Sequence, residues 1–214
     1  MKYITIMNKT ALVTGISGQD GGYLAKFLLE KGYTVIGGER RNASSTSWRL
    51  KQLGILDDIK LVDFELSEFT NIFRVIDSYS PDEVYNLAAQ SFVASSFEMP
   101  TMTADVTGLG VSRVLEAIRE INKDIKFYQA SSSEMFGNSV DEDGFQRFTT
   151  PMNPVSPYGC AKLLGYNLVR HYRHAYGLHA CNGILFNHES PRRGSNFVTN
   201  KIVKEAVEIK KGKR

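Results

Sequence analysis

The chain has little of what marks several protein classes. It has only two cysteines, Cys160 and Cys181, among 214 residues. Their spacing suits neither a disulfide framework nor a metal site, and it fits a reducing cytoplasm. No metal is expected. No apolar run is long enough to cross a bilayer, so no membrane partner is expected. No apolar signal-peptide core opens the chain. The net charge is only +3, with 23% charged residues, which gives no nucleic-acid or polyanion signature. The one basic cluster, Lys210 to Arg214, has the character of a solvated tail. Internal repeats and low-complexity linkers are missing. Met7-Asn8-Lys9-Thr10 has the form of a second start, which makes Met1 to Ile6 an extension.

What is present is a core-forming composition, 42% hydrophobic, enough for one large domain or one domain with a small annex. The stretch that organises the rest begins with the apolar run Ala11 to Val13, which predicts a buried strand. Gly15, Gly18 and Gly21 follow at intervals of three. A helical pattern then begins, with Tyr23, Leu24, Phe27 and Leu28 on one face. Strand, glycine turn and helix form a phosphate-binding arrangement. The glycines let a pyrophosphate approach the main chain, and the helix start offers free N–H groups. The turn therefore nominates Gly15, Ser17, Gly18, Gln19, Asp20 and Gly21.

Gly32 ends the first helix, and Tyr33 to Ile36 predicts a second strand with the exit Gly37-Gly38-Glu39-Arg40-Arg41. In a dinucleotide fold this exit lies beside the adenine ribose. Glu39 would accept from a ribose 2′-hydroxyl, whereas Arg40 and Arg41 suit a 2′-phosphate and hence NADP. The arginines are the preferred reading. A Ser-rich loop from Asn42 runs into a short helix ending near Gln52. Ile59 to Asp63 is a third strand, followed by Phe64-Glu65-Leu66, where an adenine would pack. Phe69, Ile72, Phe73 and Ile76 mark a helical face. Glu83 to Ala89 is a fourth strand, and its end, Leu87-Ala88-Ala89, is small enough to lie against a ligand. Asp105 to Ile121 is a helix with Val111, Val114, Leu115 and Ile118 buried. Phe127 to Ala130 is a fifth strand leading into Ser131-Ser132-Ser133-Glu134. Pro157 to Tyr176 is a long helix, Cys181 to Phe186 a sixth strand, and Phe197 to Ile209 a last helix. Alternating strands and helices predict an α/β fold with a doubly wound parallel sheet of the Rossmann type.

Tyr158 and Lys162 lie four apart, on one face of the long helix. A nearby ammonium stabilises a phenolate, so Lys162 should lower the Tyr158 pKa and make the phenol a general base. The glycine turn, the serine cluster and this pair all end at the same sheet edge.

Thr-Gly-x-x-Gly-x-x-Gly, the serines and Tyr-x-x-x-Lys together resemble the extended short-chain dehydrogenase/reductase superfamily. Four features more closely resemble the GDP-mannose 4,6-dehydratase family. They are Thr14-Gly-Ile-Ser-Gly-Gln-Asp-Gly-Gly-Tyr-Leu24, Arg40-Arg41, Ser132-Ser133-Glu134 and Asn182-Gly-Ile-Leu-Phe-Asn-His-Glu-Ser-Pro-Arg-Arg-Gly194. The last is the most specific. The resemblance runs from about Lys9 to the end.

It implies a redox-neutral dehydration of GDP-mannose to GDP-4-keto-6-deoxymannose with retained NADP. Tyr158 would take the carbon 4 hydroxyl proton, Glu134 the carbon 5 proton, and Ser132 would hydrogen-bond the carbon 4 oxygen. Ser132 stands where many relatives carry threonine. Lys162 would also hold the nicotinamide ribose. The resemblance places His188 and Arg193 near the cofactor, and Ser91 and Asn187 near the substrate. It implies a homotetramer, with the loop from about Arg41 to Trp48 reaching a neighbour's cofactor. It also implies a longer protein. The chain is accordingly expected to be a truncated member, with an NADP-binding domain over 1–186 and the beginning of a substrate domain over 187–214. Two other classes stay open: an NADP-dependent sugar-nucleotide epimerase or reductase, and a non-catalytic nucleotide-binding fragment.

Overall fold

The structure, a computed structural model, describes residues 9–195 and 197–213. The expected extension Met1 to Ile6, the alternative start at Met7 and the last residue of the basic tail, Arg214, lie outside the described residues.

The chain alternates as the apolar pattern requires. In order, β1 (Thr10–Thr14), α1 (Gln19–Glu30), β2 (Thr34–Glu39), α2 (Trp48–Leu53), β3 (Ile59–Asp63), α3 (Phe69–Tyr79) and β4 (Glu83–Asn86) form the first half. The second half is α4 (Val93–Glu98), α5 (Pro100–Thr103), α6 (Gly110–Ile121), β5 (Lys126–Ser132), α7 (Pro157–Tyr176), β6 (Ala180–Leu185) and α8 (Val198–Lys210). The six strands make one parallel sheet in the order β3-β2-β1-β4-β5-β6. Parallel strands buried on both faces read as continuous apolar runs, and Ala11, Leu12 and Val13 of β1 are all fully buried.

Each face has its own core. Ala11, Val13, Val35 and Ile59 pack with Ala25 and Leu28 of α1 and Leu50 of α2. On the other face Leu12, Ile36, Val84 and Phe127 pack with Ile72 and Ile76 of α3, Val114, Leu115 and Ile118 of α6, and Val169 of α7. Among the described residues no helix is long and apolar enough to cross a membrane.

Four local features differ from the sequence pattern. The buried face of α1 is Gly21, Gly22, Ala25 and Leu28, while Tyr23 and Phe27 are exposed. Close packing selected the small residues: a Cβ on Gly21 would lie 2.4 Å from the Gly15 carbonyl oxygen. Second, β2 continues through Gly37, Gly38 and Glu39, so the exit begins at Arg40. Ile16, Leu61 and Ile59 crowd Gly37 to within 3.0 Å of a Cβ position, so an exposed-looking glycine pair is a buried strand. Third, the helix expected from Asp105 opens with a π-helical stretch, Ala104–Leu109, before α6. Fourth, β4 stops at Asn86, short of Ala89, whereas β5 extends to Ser132 and takes in two of the serines.

Candidate active site

The sheet order reverses between β1 and β4, and such a switch point opens a crevice at the strand ends. Thr14, the last residue of β1, holds the two lips. Its hydroxyl donates to Asn86 Oδ1 at 2.7 Å and accepts from the Leu87 and Ala88 amides at 3.1 Å each. Gly15 turns next with φ +67°, and a Cβ there would lie 2.9 Å from the Ala88 nitrogen. Gly18 precedes α1, and no side chain caps that helix. The first-turn N–H groups of α1 therefore point at the crevice without a competing side-chain acceptor.

The β5 end carries the serines and Glu134. Ser132 accepts from the Glu134 amide at 3.2 Å, within the 3-10 turn Ser133–Met135. Helix α7 begins under this turn. Ser156 caps it by accepting from the Gly159 amide at 3.0 Å, and Pro157 occupies its first turn. Gly159 has no Cβ, which would otherwise lie 2.7 Å from the Glu134 carbonyl oxygen. Tyr158 is thereby brought against the Glu134 turn. Lys162, one helical turn on, is buried and donates to the Ala130 carbonyl at 2.7 Å.

The Tyr158–Lys162 pair of α7 does not behave as the sequence predicted. Burial pushes the Tyr158 phenol up to about 12, with the nearby Glu134 charge adding to the rise and the Ser132 hydroxyl and Arg193 opposing it. Lys162 does not offset this, because its Nζ lies 5.7 Å from the Tyr158 ring centroid and rests on a carbonyl. Burial pulls Lys162 itself down to about 8, against the pull of Asp20. In the free chain Tyr158 is thus a neutral phenol, and the expected lowering is absent because desolvation outweighs the distant ammonium.

The segment after β6 folds back over α1. Ser190 Oγ donates to Gln19 Oε1 at 2.7 Å, and Gln19 Nε2 donates to the His188 carbonyl at 3.3 Å. His188 Nε2 lies 2.8 Å from Asp20 Oδ1, and its Nδ1 lies 2.6 Å from the Phe186 carbonyl oxygen. That carbonyl, and then the Asp20 carboxylate, raise the His188 pKa. The guanidinium of Arg193 stacks 3.6 Å from the Phe197 ring centroid.

These pieces enclose one open cleft of about 310 Å³, a size suited to a small-molecule site. Ser132, Glu134, Tyr158 and Lys162 all line it. So do Gly15, Gly18, Gln19, Asp20 and Gly21 of the turn, and Leu87 and Ala89 beyond β4. Ser91, Asn187, His188 and Arg193 complete the predicted residues found there.

The remaining predicted residues do not line it. Ser17 turns its carbonyl to Arg49, and Ala88 lies behind the wall with its amide on Thr14. Arg40 and Arg41 are exposed just past β2. Leu66 is core, packed where a Cβ on Gly110 would meet it, and the Glu65 amide bonds Asn71. Neither Glu65 nor Leu66 opens onto the cleft, since the chain after β3 turns inward beneath α6.

Arg49 lines the cleft and was not legible beforehand. It is half-buried, stacks 4.3 Å from the Trp48 ring centroid, and donates to the Ser17 and Arg192 carbonyls at 2.9 Å each. Burial lowers its pKa. The Trp48-Arg49 pair at the start of α2 was the one signal available. Leu185 at the end of β6, Phe186 just past it and Phe197 are further lining residues.

A model of the family described as GDP-mannose 4,6 dehydratase matches residues 12–214. The chain belongs to the GDP-mannose 4,6-dehydratase family. It is 52% identical over 214 residues to GDP-mannose 4,6 dehydratase 1 of Arabidopsis thaliana, covering 95% of this chain and 58% of that protein. It is 49% identical to GDP-mannose 4,6-dehydratase of Vibrio cholerae, covering 96% of this chain and 57% of that protein. The chain thus spans a little over half the length of the curated family members it matches. Among solved structures, the UDP-glucose 4-epimerase of Thermus thermophilus in complex with NAD shares the fold. Its TM-score is 0.81 at 24% identity, covering 95% of this chain and 63% of that one.

Proposed function

We propose that this chain carries the cofactor-binding and catalytic part of a GDP-mannose 4,6-dehydratase, which converts GDP-mannose to GDP-4-keto-6-deoxymannose with retained NADP. One observation carries the reading: Glu134 and Tyr158 line the same cleft as Ser132, Lys162 and the glycine turn. A simple dehydrogenase needs the phenol and lysine; a second carboxylate beside them suits removal of a carbon-bound proton.

The cleft suits an anionic dinucleotide. It combines a glycine-rich turn, an uncapped helix start and the arginines Arg49 and Arg193. Gln19, Gly21 and the Leu87–Ala89 wall would hold its pyrophosphate and nicotinamide half, and Lys162 its ribose. Arg40 and Arg41, at the exit of β2, would select NADP by pairing with a 2′-phosphate. Bound NADP⁺ would supply a reversible hydride acceptor and a positive charge beside the phenol.

Tyr158 would accept the proton of the carbon 4 hydroxyl, with Ser132 hydrogen-bonding the same oxygen. The buried phenol keeps its proton at neutral pH in the free chain, so Tyr158 would act as the phenolate, a form that a positive charge beside it would favour. Glu134 would then take the carbon 5 proton, acidified by the new ketone, and deliver it to the departing carbon 6 hydroxyl as water. Ser91 and Asn187 would contact the sugar diphosphate. Residues 1–186 would form the NADP-binding domain, and 187–214 would begin the substrate domain. A homotetramer in the cytoplasm, with the Arg41 to Trp48 loop crossing to a neighbour, completes the proposal.

The test is product analysis on GDP-mannose. The dehydratase gives GDP-4-keto-6-deoxymannose with no net change in NADPH, and Glu134→Gln abolishes it. Net cofactor consumption would instead identify a reductase, and NADP binding without turnover a nucleotide-binding module.

A further inference from the structure

A row of buried polar groups crosses three strands beneath the cleft. Thr14 Oγ1 donates to Asn86 Oδ1 at 2.7 Å, and Asn86 Nδ2 donates to Gln129 Oε1 at 2.7 Å. Gln129 Nε2 then donates to the Ala130 carbonyl at 3.0 Å, the same oxygen that receives Lys162 Nζ at 2.7 Å. Thr14 and Asn86 are fully buried, Gln129 is 2% exposed and Lys162 4%. Polar side chains in the middle of a parallel sheet cost stability unless every group is satisfied.

The row has one possible sense. The Thr14 oxygen accepts from two backbone amides, so its single hydrogen goes to Asn86. That turns the Asn86 oxygen toward β1 and its NH₂ toward β5. The Gln129 oxygen must then face Asn86, which leaves the Gln129 NH₂ for Ala130. The β4–β5 pairing ends at Asn86 and Gln129. The Ala130 carbonyl, one residue beyond, is thus oriented by side chains where the neighbouring strand has stopped.

We propose that Gln129 is a positioning residue for Lys162: it fixes the carbonyl on which the ammonium rests, and Thr14 and Asn86 extend that control to the glycine turn. The two halves of the cleft are thereby set by one directional row. Its value for catalysis rests on the dehydratase reading above, whereas the positioning itself does not.

The experiment follows Lys162 directly in the free chain. Lysine side chains labelled with ¹³C at Cε are titrated by NMR, with Lys162 assigned by its loss in Lys162→Met. Asp20 from α1, and Tyr158, Glu134 and Arg193 around the cleft, are unchanged in every variant compared. Gln129→Met removes the second donor to the carbonyl, and the ammonium should swing toward cleft water. Its titration midpoint should rise by about one pH unit. Thr14→Val, close in volume, frees the row to reverse and should move the midpoint the same way, while Thr14→Ser should leave it unchanged. Should Gln129→Met not fold, the Thr14 pair decides alone. An unmoved Lys162 midpoint in Gln129→Met, or in Thr14→Val when that pair decides, overturns the proposal. Because no cofactor or turnover is involved, that failure leaves the product assay free to decide the dehydratase reading.

Discussion

The His188 imidazole bridges Asp20, in the first turn of α1, and the Phe186 carbonyl at the exit of β6. Both ring nitrogens face oxygen acceptors, so only the imidazolium donates to both. His188 therefore ties the returning segment to the helix that opens the cleft.

The pH dependence of that tie follows from its sign. The Phe186 carbonyl and Asp20 raise the folded-state pKa of His188, while Arg193 and burial oppose them. A raised histidine pKa contributes stability that is fully present below the unfolded value of about 6.5 and fades as pH rises through the folded value. Thermal unfolding of the wild type and His188→Gln should differ most at acidic pH and converge under alkaline conditions. A gap that widens with pH would reject this.

Lys162 predicts the opposite slope. Its folded pKa near 8 lies below the ordinary 10.5, so the unfolded chain binds more protons between those values. Stability should rise through this window. At pH 7 the buried ammonium costs on the order of 1–3 kcal/mol, so Lys162→Met should stabilise the free chain while destroying function. Urea unfolding at pH 7 and pH 10 checks it: the gain should shrink at the higher pH.

Gly159→Ala tests the contact that joins the two halves of the chemistry. Helix propensity favours alanine by about 1 kcal/mol. The new Cβ would lie 2.7 Å from the Glu134 carbonyl oxygen and 2.9 Å from Pro154. Overpacking of this kind costs about 1–3 kcal/mol, and here the obstacle is backbone, so the clash wins. Denaturation should show a net loss, and Glu134 should be pushed from Tyr158 with a fall in kcat larger than any change in KM.

Replacing Arg40 and Arg41 together by alanine should weaken NADP about tenfold or more and NAD little, read as dissociation constants by calorimetry. Equal loss of both would remove the 2′-phosphate assignment. Glu39, at the end of β2, accepts from Thr46 at 3.0 Å and is the carboxylate these arginines must outweigh.

The parts legible in the sequence were those written in periodicity. β3 and α7 have the bounds their patterns predict, because the β-branched and aliphatic Ile59, Leu61 and Val62 and a Ser-Pro start leave few alternatives. Tyr158, Lys162, Ser132 and Glu134 share a cleft because parallel strands deliver their ends to one edge. Features set by close packing were hidden. Gly37 and Gly38 read as the strand's exit because composition does not reveal Ile16 and Leu61 pressing on Gly37 and Phe64 pressing on Gly38. Tyr158 looked acidic because spacing gives adjacency to Lys162 but not the burial of both. Arg49 escaped notice because its place depends on where α2 docks.

The strand order carries a kinetic consequence. Thr14 bonds Asn86 across 72 positions, and Asp20 meets His188 across 168. Contacts of such high sequence separation pay their loop-closure entropy before any reward, which slows folding. The cleft should be the last region to mature, so dinucleotide affinity appearing during refolding would be a clock for completion of the whole sheet.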